Sequence, residues 1–235
     1  MATLNDIQIG IALDVDSSAD APGTNDSEFN RRLYLINRAE RKWAKALNGR
    51  WPQLLQTPTN ITTTAGQNYI TLPSDFEFGN LVLAADGEIK IGSIFYKLVN
   101  RDMKDVQYDS AYICWITGNP SAGYRLNIQP TPQDVLTVNL VYYSNYLATT
   151  SGGTDQAVLA TTTDITKVSD PDFLVFDVLS HLYKDDDEGN KGLDFERLAQ
   201  DRLNQMISLA SRGQQNQFDE IQELAEVGGF PSIGG

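Results

Sequence analysis

Four consecutive acids, Asp185, Asp186, Asp187 and Glu188, are the densest run of possible metal ligands in the chain. Aligned to a calcium-binding loop, Asp185, Asp187 and Glu196 take its first, third and twelfth positions. Gly189 and Asn190 then fall where such a loop needs an oxygen ligand and a sharp-turn glycine. The pattern fails at both, so these acids read as a solvated turn between helices. His181 is the only histidine, and any histidine metal cluster or Ser/His/Asp triad has to use it. It lies between Leu179 and Leu182 on a helix otherwise devoted to packing, which accounts for it. Cys114, the single cysteine, allows no intrachain disulfide. Its setting, Tyr112 to Ile116, is that of a buried strand thiol rather than a nucleophile. The 31 acids supply many accidental carboxylate pairs of the sugar-cleaving kind, none in a recognisable context. No Walker lysine loop and no dinucleotide fingerprint occurs. No catalytic residue, metal or cofactor is expected.

Charge narrows the possible partners. The net charge of −13 over 235 residues argues against an open nucleic-acid footprint and against an anionic membrane surface. Against that background, Arg31, Arg32, Arg38, Arg41, Lys42 and Lys45 crowd one predicted helix. Such a stripe suits either a phosphate backbone or an acidic protein, and the overall charge favours the protein. No apolar stretch approaches the roughly 20 residues needed to span a bilayer. With no basic segment leading into an apolar run at the start, the reading is a soluble chain made in the cytoplasm.

These groups sit on a particular order of elements. Residues 2–13 read as a short helix carrying Leu4, Ile7 and Ile11, followed by a loop over 14–24. Phe29, Leu33, Ile36, Trp43 and Leu47 have helical spacing, with Ser27 or Asn25 as cap and Asn48-Gly49 as stop. From Trp51 the period changes to that of short strands. Asp86-Gly87 predicts a hairpin between Leu81–Leu83 and Ile89–Ile91, and residues 102–108 read as one or two helical turns. Leu136, Val138, Leu140 and Tyr142 alternate as in a half-buried antiparallel strand. After a Thr/Gly/Ser-rich stretch, Asp170-Pro171-Asp172 opens a helix apolar nearly all round, which places it centrally among its neighbours. A last helix runs from about Leu193 to Ser211 and stops at Gly213. The expected fold is α+β: a helical bundle from residues 1–50 and 164–213, an inserted antiparallel β-sandwich or barrel at 51–147, a linker at 148–163, and a flexible arm at 214–235. In that arm Phe218, Ile221 and Leu224 have helical spacing, and Phe230 and Ile233 follow on a Gly-rich backbone. A segment of this kind orders on binding, so these five residues are predicted to dock on a partner.

The same order of parts carries a resemblance. Ile36-Asn37-Arg38-Ala39 leads to Arg50-Trp51-Pro52, then to the run from Gly66 to Phe76 containing Leu72-Pro73-Ser74-Asp75. Gly118-Asn119-Pro120, Leu126 to Pro132, Val141-Tyr142-Tyr143 and the Asp170-Pro171-Asp172 hairpin follow. Over residues 25–212 the chain resembles tailed-phage head-to-tail adaptor proteins, the group that includes tail tubular protein A. The resemblance implies a virion protein, forming a dodecameric ring between the portal protein and the tail or nozzle protein, with DNA leaving through its channel without sequence-specific binding. Some relatives of that group are linked to wall hydrolysis, but no matched motif carries that activity here. The alternatives are a cell-wall hydrolase using an Asp/Glu pair and another neck or tail-completion protein.

Overall fold

The computed structural model describes residues 2–58, 61–83, 87–100, 112–186 and 188–227, with backbone alone for 213–227. The predicted turns at 102–108 therefore lie outside the described residues. In chain order the elements are α1 (Leu4–Val15), α2 (Ser27–Ala46), β1 (Leu55–Gln56), β2 (Tyr69–Thr71), β3 (Glu88–Ile91), β4 (Ile94–Leu98), β5 (Ile113–Asn119) and β6 (Gly123–Gln129). Then come β7 (Val138–Asn139), β8 (Tyr142–Tyr143), β9 (Ala148–Thr149), β10 (Asp155–Gln156), β11 (Ile165–Thr166), α3 (Asp172–Asp185) and α4 (Gly189–Val227). They form two compact units, residues 1–47 with 161–235, and residues 48–160.

In the helical unit, α1 starts at a reciprocal cap. The Thr3 hydroxyl accepts from the Asp6 N–H at 3.2 Å, and the Asp6 carboxylate accepts from the Thr3 N–H at 2.9 Å. The cap of α2 is Asp26, which accepts from the Glu28 N–H at 3.1 Å, rather than either of its neighbours. Phe29, Leu35, Ile36, Ala39 and Trp43 of α2 are buried, as are Leu4, Ile7, Ile11 and Ala12 of α1. Helix α3 packs against α1, α2 and α4, the central position its apolar circumference requires. The stop predicted at Gly213 is not used. Helix α4 continues through it to Val227, since one glycine inside a helix costs only about 1 kcal/mol.

In the β unit, six strands form one sheet in the order β2-β6-β5-β4-β3-β7. Of the expected antiparallel sandwich or barrel, the structure has a curled sheet, a half-barrel, and it is mixed, because β4 and β5 run parallel, Lys97 opposite Ile113 and Leu98 opposite Cys114. The segment from Ile61 to Thr71 serves both edges. Its end is β2, paired with β6; its start bridges Thr62 to Thr137 and accepts from the Val138 N–H at Ile61 O. The hairpin also differs from the predicted one. Ile89–Ile91 pairs with Ile94–Leu98 across Gly92-Ser93, Gly92 having φ +61°, while Leu81 bridges Tyr142. Asp86 lies outside the described residues. One face of the sheet buries Ile89, Ile91, Tyr96, Cys114, Ile116, Leu126, Ile128 and Val138. Within it Cys114 sits opposite Ile128 and Ile116 opposite Leu126, the period-2 alternation of strands with one buried face. The stretch predicted as a linker carries the antiparallel pair β9 and β10.

Candidate interaction surface

The sequence motifs behind the resemblance are structural joints. Phe76 is buried and edge-on to Tyr124 and Tyr142, each with ring centres 5.5 Å away. Beside it the Tyr142 hydroxyl donates to Asp75 Oδ1 at 2.8 Å, and the Tyr146 hydroxyl donates to Ser74 at 3.0 Å. Burial, then the Asp75 contact, push the Tyr142 phenol up. The Leu72–Phe76 turn is thus tied to the strand ending in Tyr142 and Tyr143. Gly118 has φ +111°, and a Cβ there would meet the Gly123 carbonyl oxygen at 2.1 Å, so the β5–β6 hairpin demands glycine. Asn119 completes that turn by accepting from the N–H groups of Ser121 and Ala122.

The groups of catalytic type singled out in the sequence are placed as follows. His181 Nε2 lies 3.9 Å from Asp177, and Asp177 in turn accepts from Lys42 at 2.5 Å. Burial pulls the imidazole below its ordinary value, outweighing the Asp177 carboxylate, which acts the other way. Asp185 pairs with Arg31 at 3.1 Å, Glu196 with Lys184 at 2.8 Å, and Asp187 lies outside the described residues. Among the described residues no three His, Cys, Asp or Glu groups could hold a metal ion. Cys114 is fully buried, its Sγ 3.8 Å from the Tyr96 carbonyl, and burial pushes the thiol up to about 12. An open groove of about 410 Å³ runs along Ile61 to Pro73, lined by Thr62, Thr64, Gln67 and Thr71 and by no acid or base. A smaller concavity of about 120 Å³ near Phe76 contains one acid, Glu77.

The cationic side of α2 is where the structure sorts residues that the sequence left together. Arg32 is buried, and its guanidinium donates to Asp16 at 2.7 Å. Arg31 holds Asp185 and Lys42 holds Asp177. These three cations tie α2 to the chain after α1 and to α3. Arg38, Arg41 and Lys45 are exposed, with Tyr34 63% exposed on the same face, and none of the three forms an ion pair among the described residues. They recur at i, i+3 and i+7, a single helix stripe. Of the predicted docking residues, Phe218, Ile221 and Leu224 fall within α4, where only the backbone is described. Phe230 and Ile233 lie outside the described residues.

The motif joints and the α2 helix fall inside one continuous family match, to the SU10 adaptor protein family over residues 2–221. The chain belongs to the SU10 adaptor protein family. It is therefore a phage head-to-tail adaptor, a structural component of the virion, as the order of motifs implied. No curated protein matches the chain significantly. Among the described residues of this SU10 adaptor, no helix is long and apolar enough to cross a membrane. What the site offers an adaptor is surface: a cationic helix on which Arg38, Arg41 and Lys45 are exposed and not ion-paired among the described residues, and a long terminal helix.

Proposed function

We propose that the protein forms a ring between portal and tail, its copies surrounding the path by which DNA leaves, and that it carries no hydrolytic activity. The observation that supports this most is the family match across residues 2–221. The single histidine lies 3.9 Å from Asp177, and neither the groove along Ile61 to Pro73 nor the concavity near Phe76 offers a carboxylate pair. The net charge of −13 suits a channel wall that does not clamp the duplex. The segment 214–235 docks on a neighbouring subunit or on the portal through Phe218, Ile221, Leu224, Phe230 and Ile233.

Imaging of assembled particles, together with mass measurement of the chain with and without portal-bearing heads, tests the reading. The expected result is ring density at the head-tail junction and a mass shift on the heads alone. A wall-lysis assay should show no activity, and His181→Ala and Asp187→Asn should change nothing in it. Lysis that disappears when one carboxylate is changed overturns the structural role.

A further inference from the structure

The length of α4 is out of proportion to what supports it. At 39 residues it spans about 58 Å, whereas the 14 residues of α3 span about 21 Å. The two run antiparallel. Near the start of α4, Phe195 stacks on Tyr183 with ring centres 5.6 Å apart. By Arg202 it has reached Asp170 and Asp172 at the beginning of α3, at 3.4 Å each. Met206 is the last buried residue described. Everything after it runs beyond the helix on which α4 packs. Most helical stability in proteins comes from tertiary packing rather than propensity, and this extension also carries Gly213, so it gains from a partner.

Its charge says which one. After Arg212 the chain has no Lys or Arg, but four acids, Asp219, Glu220, Glu223 and Glu226. Asp219, Glu223 and Glu226 share one stripe of the helix, separated by four and then three residues. The unpaired cations of α2, taken in reverse, are Lys45, Arg41 and Arg38, also separated by four and then three. We propose that in the ring the α4 extension of one copy lies antiparallel on α2 of the next copy, with Asp219 against Lys45, Glu223 against Arg41 and Glu226 against Arg38. This rests on the ring reading above and specifies the contact between its subunits. The contact joins two different surfaces of the same chain, the heterologous kind that closes into rings. Each exposed ion pair is weak on its own, and the ring supplies the high effective concentration that makes three of them count. The opposite side of the extension, with Phe218, Ile221 and Leu224, is left free for portal or tail.

Charge exchange in the full-length chain tests this, read as incorporation into portal-bearing heads. Arg38→Glu, Arg41→Glu and Lys45→Glu together should lower incorporation at least about tenfold, and so should Asp219→Lys, Glu223→Lys and Glu226→Lys together. Both sets in one chain should restore it to within roughly threefold of the unmodified protein. Normal incorporation of either single set overturns the proposal. So does failure of the combined set to recover, the result expected if α2 meets DNA or an unrelated acidic protein. A second measurement does not depend on incorporation efficiency. Arg41→Cys with Glu223→Cys should give disulfide-linked multimers within heads, whereas Arg41→Cys with Gln222→Cys should not; Cys114 is fully buried. A link within single chains, or none, overturns the proposal. If the unmodified protein itself is absent from the head-tail junction, it is the adaptor-ring reading that fails.

Discussion

Glu40 is buried on α2, where the Thr166 hydroxyl donates to its Oε1 at 2.6 Å. Burial raises its carboxyl to about 8, outweighing the Thr166 hydrogen bond and the nearby Arg41, which both act the other way. In the unfolded chain the same group ionises near the usual value of about 4.3. Below that value both states are protonated and the folded state has its full advantage. Between there and about 8 only the unfolded chain gives up the proton, so stability falls as pH rises, by up to about 1.4 kcal/mol per pH unit. Glu40→Gln keeps the shape of the neutral acid and cannot ionise. Urea unfolding should therefore show the variant gaining on the wild type between about pH 5 and about pH 8; a difference that stays flat means Glu40 is already ionised in the fold. A different residue-scale constraint operates at Gly118. With φ +111° and backbone 2.1 Å from a built Cβ, Gly118→Ala must open the β5–β6 turn. It should cost about 1–3 kcal/mol or more in the same assay, while Gly66→Ala, with open space around its Cβ, should lose only the smaller backbone part.

At the scale of elements, α3 and α4 approach closely at one glycine. A Cβ on Gly192 would lie 3.0 Å from the Ser180 carbonyl oxygen and 2.7 Å from the Lys184 side chain. Gly192→Val therefore forces the helices apart and should cost about 1–3 kcal/mol, seen as a lower melting temperature. The far end of α4 should behave in the opposite way. Removing residues 214–235 leaves in place Ala199, Leu203 and Met206, the buried apolar side chains described in α4. The truncated chain should unfold within about 0.5 kcal/mol of the full one and still fail to attach to portal-bearing heads. Normal attachment, or a marked loss of stability, contradicts the docking role of the extension.

For the whole molecule, the question is what holds copies together. Ile36, Ala39 and Trp43 in one unit and Ile91, Leu126 and Val138 in the other are fully buried. Of the large apolar side chains that remain exposed, Leu13, Tyr34, Phe78, Phe95 and Val135 come from separate elements, and Leu193, Leu198 and Leu209 are spread along α4. Among the described residues they build no single continuous apolar stripe, and a net charge of −13 makes copies repel one another at a distance. Light scattering at micromolar concentration should therefore find the free chain monomeric or weakly associated, with the ring forming on portal-bearing heads. A stable dodecamer of the free protein contradicts this.

Periodicity alone located α1, α2, α3 and β3, because an amphipathic element must bury the same residues wherever it packs. It also made α3 the central helix, since no other position hides apolar groups on every side. The strand expected over Leu136 to Tyr142, by contrast, is divided between β7 and β8 of two different sheets. The acidic run reads as a turn between helices and His181 as a residue of a packed helix; the structure sets Asp185 against Arg31 and His181 beside Asp177. Other features depend on distant chain. Nothing local reveals that β4 lies parallel to β5, or that residues 61–71 serve both sheet edges, because partners so far apart in sequence are chosen by the closing of the core. The true hairpin did leave a signal, Gly92-Ser93 between Ile91 and Ile94, but Asp86-Gly87 competed with it and matched a commoner turn. The continuation of α4 through Gly213 went unread for a related reason: a glycine ends a helix only where the backbone turns. Six cations on α2 looked equivalent in sequence. Tertiary structure divided them, burying Arg32 against Asp16 and giving Arg31 and Lys42 to Asp185 and Asp177. Which charges are spent inside the fold and which remain for a partner is set by where acids from other elements arrive, and that is a property of the packed chain alone.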